Sequence, residues 1–220
     1  MGIEQPIKEV VELLEWESDK KAVAVIVYGF GGVGKSTLAD DVFARLDIVG
    51  CKYSMVRLFD DITSTPNIVE LQKCILRDLM VGIAVEKAAK LDVRTFESGQ
   101  HQIGSVLPKE VAFLYVDNVL DGDKLQQLLP RDMHLAKKVR VLITAREMGV
   151  RTVCTGCKME TKQYPTNGLP TSEARSLLER EMKEAQIESS QMEEIVKIMR
   201  WNPKTFDSGC KLYNLRRGQT

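Results

Sequence analysis

Residues 29–36 read Gly-Phe-Gly-Gly-Val-Gly-Lys-Ser and satisfy the pattern G-x-x-x-x-G-K-S/T. Gly29, Gly31, Gly32 and Gly34 let successive amide N–H groups, Val33 included, curve around an anion. The Lys35 ammonium can reach the β- and γ-phosphates of a nucleotide. The Ser36 hydroxyl can ligate Mg2+, and Thr37 can add a contact near the α-phosphate. An apolar run precedes the loop at Ala22–Tyr28, and a helical stretch follows from Ser36 to about Leu46. That order aims the positive end of a helix at the phosphates. The spacing therefore implies a purine nucleoside di- or triphosphate gripped by its phosphates. The loop alone does not separate ATP from GTP.

Phosphate binding of this kind also needs a carboxylate for the metal. Phe113-Leu114-Tyr115-Val116-Asp117 is an apolar run ending in an acid. If it is a buried strand, Asp117 stands at its C-terminal edge beside the loop, where Mg2+ would sit. Lys35 and Asp117 are thus the candidate catalytic pair, and Ser36 and Asp117 the candidate Mg2+ ligands. Asn118 follows, and an amide cannot accept a proton from an attacking water. The chain is expected to be at most a slow ATPase. The run Val139–Thr144 is followed by Ala145-Arg146, which puts Arg146 where it could approach a γ-phosphate.

These residues need a scaffold that brings strand ends together. Ile7, Val10, Val11 and Leu14 have helical spacing, as do Ile68, Leu71, Ile75 and Leu79. A further helix is expected through Phe96, Ile103 and Leu107. Strands are expected at Ala22–Tyr28, Tyr53–Phe59, Val111–Val116 and Val139–Thr144. Strands alternating with helices predict an α/β fold, a parallel sheet of the P-loop NTPase type flanked by helices. The pattern changes near residue 150. Residues 151–171, with Gly156, Pro165, Gly168 and Pro170, are expected to form a linker. Residues 172–206 read as an incomplete small helical subdomain, with faces at Ala174, Leu177, Leu178, Met182 and at Ile195, Val196, Met199. Residues 207–220 form a tail. The first domain is expected to span 1–150.

The 220 residues carry 31 basic and 31 acidic side chains, so no overall charge draws the chain to nucleic acid or anionic lipid. No apolar run approaches the ~20 residues of a membrane helix. Five unevenly spaced cysteines suit a reducing, cytoplasmic setting better than a disulfide framework. Cys154 and Cys157 make half a zinc site and are expected to be loop thiols. Lys137, Lys138 and Arg140 read as a solvated strand edge.

Taken in order, these segments resemble the NB-ARC nucleotide-binding module of plant NLR disease-resistance proteins. The resemblance covers roughly residues 1–205 and rests on Gly29–Ala39, Phe113–Leu120, Val141–Arg146 and Leu169–Leu178. It implies a STAND-type ADP/ATP switch in defence signal transduction, with Arg146 sensing the γ-phosphate. Adenine would lie near Gly2, Ile3 and Pro203. Expected partners are the adenine nucleotide and other receptor domains or a second copy, with no nucleic acid or membrane. Two departures stand out: Asn118 replaces a second acid, and Trp201-Asn202-Pro203-Lys204 replaces the family's Gly-x-Pro-Leu. A start at Met1 with the motif under way reads as a fragment, a truncated gene model or a degenerate copy. Against the switch stand a turning-over ATPase and a degenerate interaction fragment. Lys35→Ala or Lys35→Arg is expected to abolish ADP binding in calorimetry, and unchanged affinity would remove the core of this reading.

Overall fold

The computed structural model describes residues 4–15, 21–46, 51–58, 67–81, 92–107, 111–136, 138–146 and 150–166. The helical segments expected within 172–206, the tail, and Gly2, Ile3 and Pro203 lie outside these residues.

The chain opens with α1 (Glu4–Leu14), whose Ile7, Val10 and Leu14 are buried along one face. The apolar run becomes β1 (Val23–Tyr28), followed after the glycine loop by α2 (Lys35–Arg45). Then come β2 (Lys52–Arg57), α3 (Ile68–Leu79) and α4 (Phe96–Val106). The chain continues through β3 (Ala112–Val119), the short α5 (Gly122–Leu128) and β4 (Val139–Ala145). The described residues end with α6 (Val150–Gly156) and β5 (Glu160–Pro165).

The five strands form one sheet in the order β2-β3-β4-β1-β5, and every pairing is parallel. Side chains alternate across it with the period of two that a strand imposes. Val23, Val25, Val27, Phe113, Tyr115 and Leu142 pack under α1 and α2. Ala24, Ile26, Leu114, Val116, Val141 and Ile143 pack on the other face, with apolar residues of α3, α4, α5 and α6. Covered on both sides, β1, β3 and β4 can be almost wholly apolar.

Three expectations are corrected. Residues 151–166 do not form a linker, because α6 and β5 continue the sheet. Strand β5 (Glu-Thr-Lys-Gln-Tyr-Pro) hides from a search for apolar runs because it is an edge strand and only half-buried. Arg140 is not on a solvated edge, since β4 is interior and Arg140 is 1% exposed. Its guanidinium donates to the carbonyls of Glu15, Lys21 and Val139, tying the entry of β4 to the end of α1. Cys154 and Cys157 are buried core members, not loop thiols, and burial pushes their thiols up to about 12 and about 11.

The buried Arg140 guanidinium joins the carbonyls of Glu15 and Lys21 to the start of β4, and Arg140→Met should remove those bonds. The expected loss is about 1–3 kcal/mol of stability, read from the urea unfolding midpoint. A midpoint equal to that of the parent chain would show that these bonds contribute nothing net.

Candidate functional site

In a parallel sheet all strands end on the same side, and ligands bind outside those carboxyl ends. Here β1 runs into the glycine loop, β2 ends in Arg57, β3 carries Asp117 near its end, and β4 runs out into Arg146. A cleft of about 320 Å³ opens between them. Its walls include Gly31 to Thr37 on one side and Asn118, Thr144 and Arg146 on the other.

Three glycines of the loop have positive φ: Gly29 at 153°, Gly32 at 81° and Gly34 at 92°. At Gly29 a Cβ would stand 2.6 Å from the carbonyl oxygen of Thr166, so space as well as angle demands glycine. Gly34 occupies the N-cap of α2 with no side chain capping the helix. The first amides of α2 are therefore not taken by a cap, as an anion site requires. Lys35 is 9% exposed and donates to the carbonyls of Gly29 and Phe30 at 2.9 and 2.7 Å. Its ammonium is thus folded back over the loop.

Asp117 is 1% exposed and joins three elements. Ser36 Oγ donates to its Oδ1 at 2.8 Å, and Thr144 Oγ1 donates to the same oxygen at 2.5 Å. Arg57 Nε donates to Oδ2 at 3.0 Å. Burial pushes the carboxyl up. The hydrogen bonds from Thr144, Ser36 and Arg57 and the guanidinium charge outweigh that and hold it below its usual range. The strand then breaks register between Val116 and Val119, with Asn118 in the left-handed region at φ 57°. Asparagine tolerates that conformation better than most residues. The twist points the Asn118 N–H at Thr144 Oγ1, 2.8 Å away.

Arg146 is exposed and faces the loop. Its Nε and Cζ lie 3.9 Å from where a Cβ on Gly31 would be. A nucleotide and Mg2+ fit these residues. Ser36 commits its proton to Asp117, which leaves the hydroxyl oxygen to serve as a ligand. Among the described residues no group of three or more His, Cys, Asp or Glu is gathered for a metal. Most ligands of a Mg2+ here would come from phosphate and water, as that ion prefers.

The structure thus brings together the loop, Lys35, Ser36, Thr37, Asp117 and Arg146, all expected from the sequence. It adds Arg57 and Thr144. Arg57 could have been found as the last residue of a strand lying beside β3, but only once the strand order is known.

The family model described as NB-ARC domain matches residues 3–188. The chain belongs to the NB-ARC family. This NB-ARC chain is 27% identical to disease resistance protein RUN1 of Vitis rotundifolia over 177 residues, 80% of this chain and 12% of RUN1. It is 28% identical to disease resistance protein RPV1 of the same plant over 156 residues, 70% of this chain and 10% of RPV1. The chain therefore spans a small fraction of these relatives. Among solved structures, Cdc6p from Pyrobaculum aerophilum aligns with a TM-score of 0.57 at 14% identity, covering 80% of this chain and 48% of that one. The Aeropyrum pernix ORC1 protein, solved in complex with DNA, aligns at 0.53 and 18% identity, covering 83% and 50%. At such identities these two show that the NB-ARC chain has the same fold and nothing more. No helix among the described residues is long and apolar enough to cross a membrane.

Thr144→Val should keep the shape of β4 while removing both bonds of the hydroxyl. The Asn118 N–H loses its acceptor and Asp117 loses a donor, at a cost of about 1–3 kcal/mol. Chemical denaturation measures this, and an unchanged stability would mean that the latch between β3 and β4 is dispensable.

Proposed function

We propose that this NB-ARC chain is the ADP/ATP-binding switch module of an intracellular plant immune receptor. The observation that carries the reading is the placement of Arg146 across the cleft from the glycine loop, at Gly31. ADP and ATP differ only at the γ-phosphate, so a switch needs a group that meets that phosphate and no other. An exposed guanidinium facing the loop meets this need, because it pairs with phosphate oxygens through charge-assisted bonds. The two nucleotides can then favour two states only by the difference in free energy that such contacts supply.

The other residues divide the remaining work. The loop amides, the N-terminus of α2 and Lys35 bind the phosphates, and Thr37 lines the same cleft. Ser36 and Asp117 would hold Mg2+, which supplies charge neutralisation at the phosphates when bound. Asn118 lines the cleft beside Asp117 and provides no carboxylate to take a proton from water. Hydrolysis is therefore slow or absent. The adenine contacts assigned to Gly2, Ile3 and Pro203 belong to the resemblance. The disease-resistance relatives support the role in defence signalling, and the cytoplasm is the compartment this role requires.

The test begins with purified protein, denatured so that any carried nucleotide can be identified by chromatography. ADP at near-stoichiometric level is the expected result. Calorimetry on Arg146→Ala should then show ATP affinity reduced about tenfold or more with ADP affinity little changed, the loss of a charge-assisted contact. Absence of any nucleotide binding, or equal losses for ATP and ADP, would defeat the switch reading.

A further inference from the structure

Arg57 closes β2, and its register partner on β3 is Asp117. The guanidinium Nε takes Asp117 Oδ2 at 3.0 Å, while Ser36 and Thr144 take Oδ1. The Asp117 side chain is 2% exposed, whereas that of Arg57 is 47% exposed. The carboxylate that the nucleotide reading assigns to Mg2+ therefore already carries a cation belonging to the protein. Ser36 links the two claims on Asp117. A divalent ion held by the Ser36 oxygen would lie beside a carboxylate oxygen only 2.8 Å from that hydroxyl. The guanidinium sits on the other oxygen of the same carboxylate. Like charges a few ångströms apart repel, and one carboxylate cannot fully neutralise both.

We propose that Arg57, paired with Asp117 beside Ser36, is a resident counter-ion that competes with the divalent cation, so that this chain holds a nucleoside diphosphate with little help from Mg2+. The inference rests on the nucleotide-binding reading of the cleft and specifies how that site is regulated. Arg57 is a positioning residue in this scheme. It holds Asp117 oriented toward Ser36 and Thr144 whether or not metal is present. Its half-exposed side chain on an edge strand can leave Asp117 without disturbing the core.

The experiment uses the full chain, with ADP titrated by calorimetry in the presence of Mg2+ and then in EDTA. The parent chain should lose less than about threefold in affinity when Mg2+ is removed, whereas Arg57→Gln should lose about tenfold or more. Arg57→Lys, which keeps the charge, should behave as the parent does. Direct Mn2+ binding without nucleotide, followed by electron paramagnetic resonance, should be about tenfold tighter in Arg57→Gln than in the parent. A residue that merely braced the strand end would change stability but not these metal dependences. A parent chain that itself depends on Mg2+ tenfold or more overturns the proposal while leaving nucleotide binding intact, even if the Gln variant fails to fold. If no ADP binds under any condition, the nucleotide reading falls. Equal Mn2+ affinities in parent and Arg57→Gln then overturn the counter-ion as well.

Discussion

A carboxylate taken out of water must find donors, and Asp117 finds them on three separate elements. Ser36 comes from the first turn of α2, Thr144 from β4 and Arg57 from the end of β2. None is near Asp117 in sequence, so the site exists only when the sheet has assembled in its order. The strand order explains the choice of partners. β4 separates β3 from β1, and so Thr144 lies between Asp117 and the strand that launches the glycine loop. Ser36 closes the remaining gap, because α2 starts at the end of that loop. The glycine loop, β3 and β4 are thereby held at fixed spacing by one buried charge.

How much of this could be read in advance depended on whether the signal was local. The glycine loop, the acid near the end of β3 and the arginine following β4 are short contiguous patterns; the loop and Arg146 line the cleft, and Asp117 lies buried behind it, bonded to Ser36. β1, β3 and β4 were legible because burial on both faces demands continuous apolar runs. β5 was not, because an edge strand needs no such run. Its Lys162 pairs with Glu15, and its Tyr164 hydroxyl donates to Glu9 on α1, contacts that no window along the chain reveals. Arg140 was misread for the same reason. A charge beside Lys138 looks solvated until β4 proves to be interior and its guanidinium meets the carbonyls at the end of α1. Arg57 carries no motif at all, and its importance comes from register alone.

Asn118 shows how a single residue can be built into the backbone of a strand end. Its left-handed conformation coincides with the register shift of β3, and its amide is caught by Thr144. The residue therefore does conformational work that its side chain does not announce. Asparagine tolerates this φ at modest cost, so the strand end keeps its local order.

The base of the glycine loop has a neighbour that no motif includes. Thr166, just past β5, donates its N–H to the Tyr28 carbonyl at 2.8 Å, and its own carbonyl fills the space a side chain on Gly29 would need. Two chain segments more than a hundred residues apart thus meet at the base of the loop. A side chain at Gly29 would have to push the Thr166 carbonyl aside, so the base of the phosphate loop is shaped by chain that no loop motif contains.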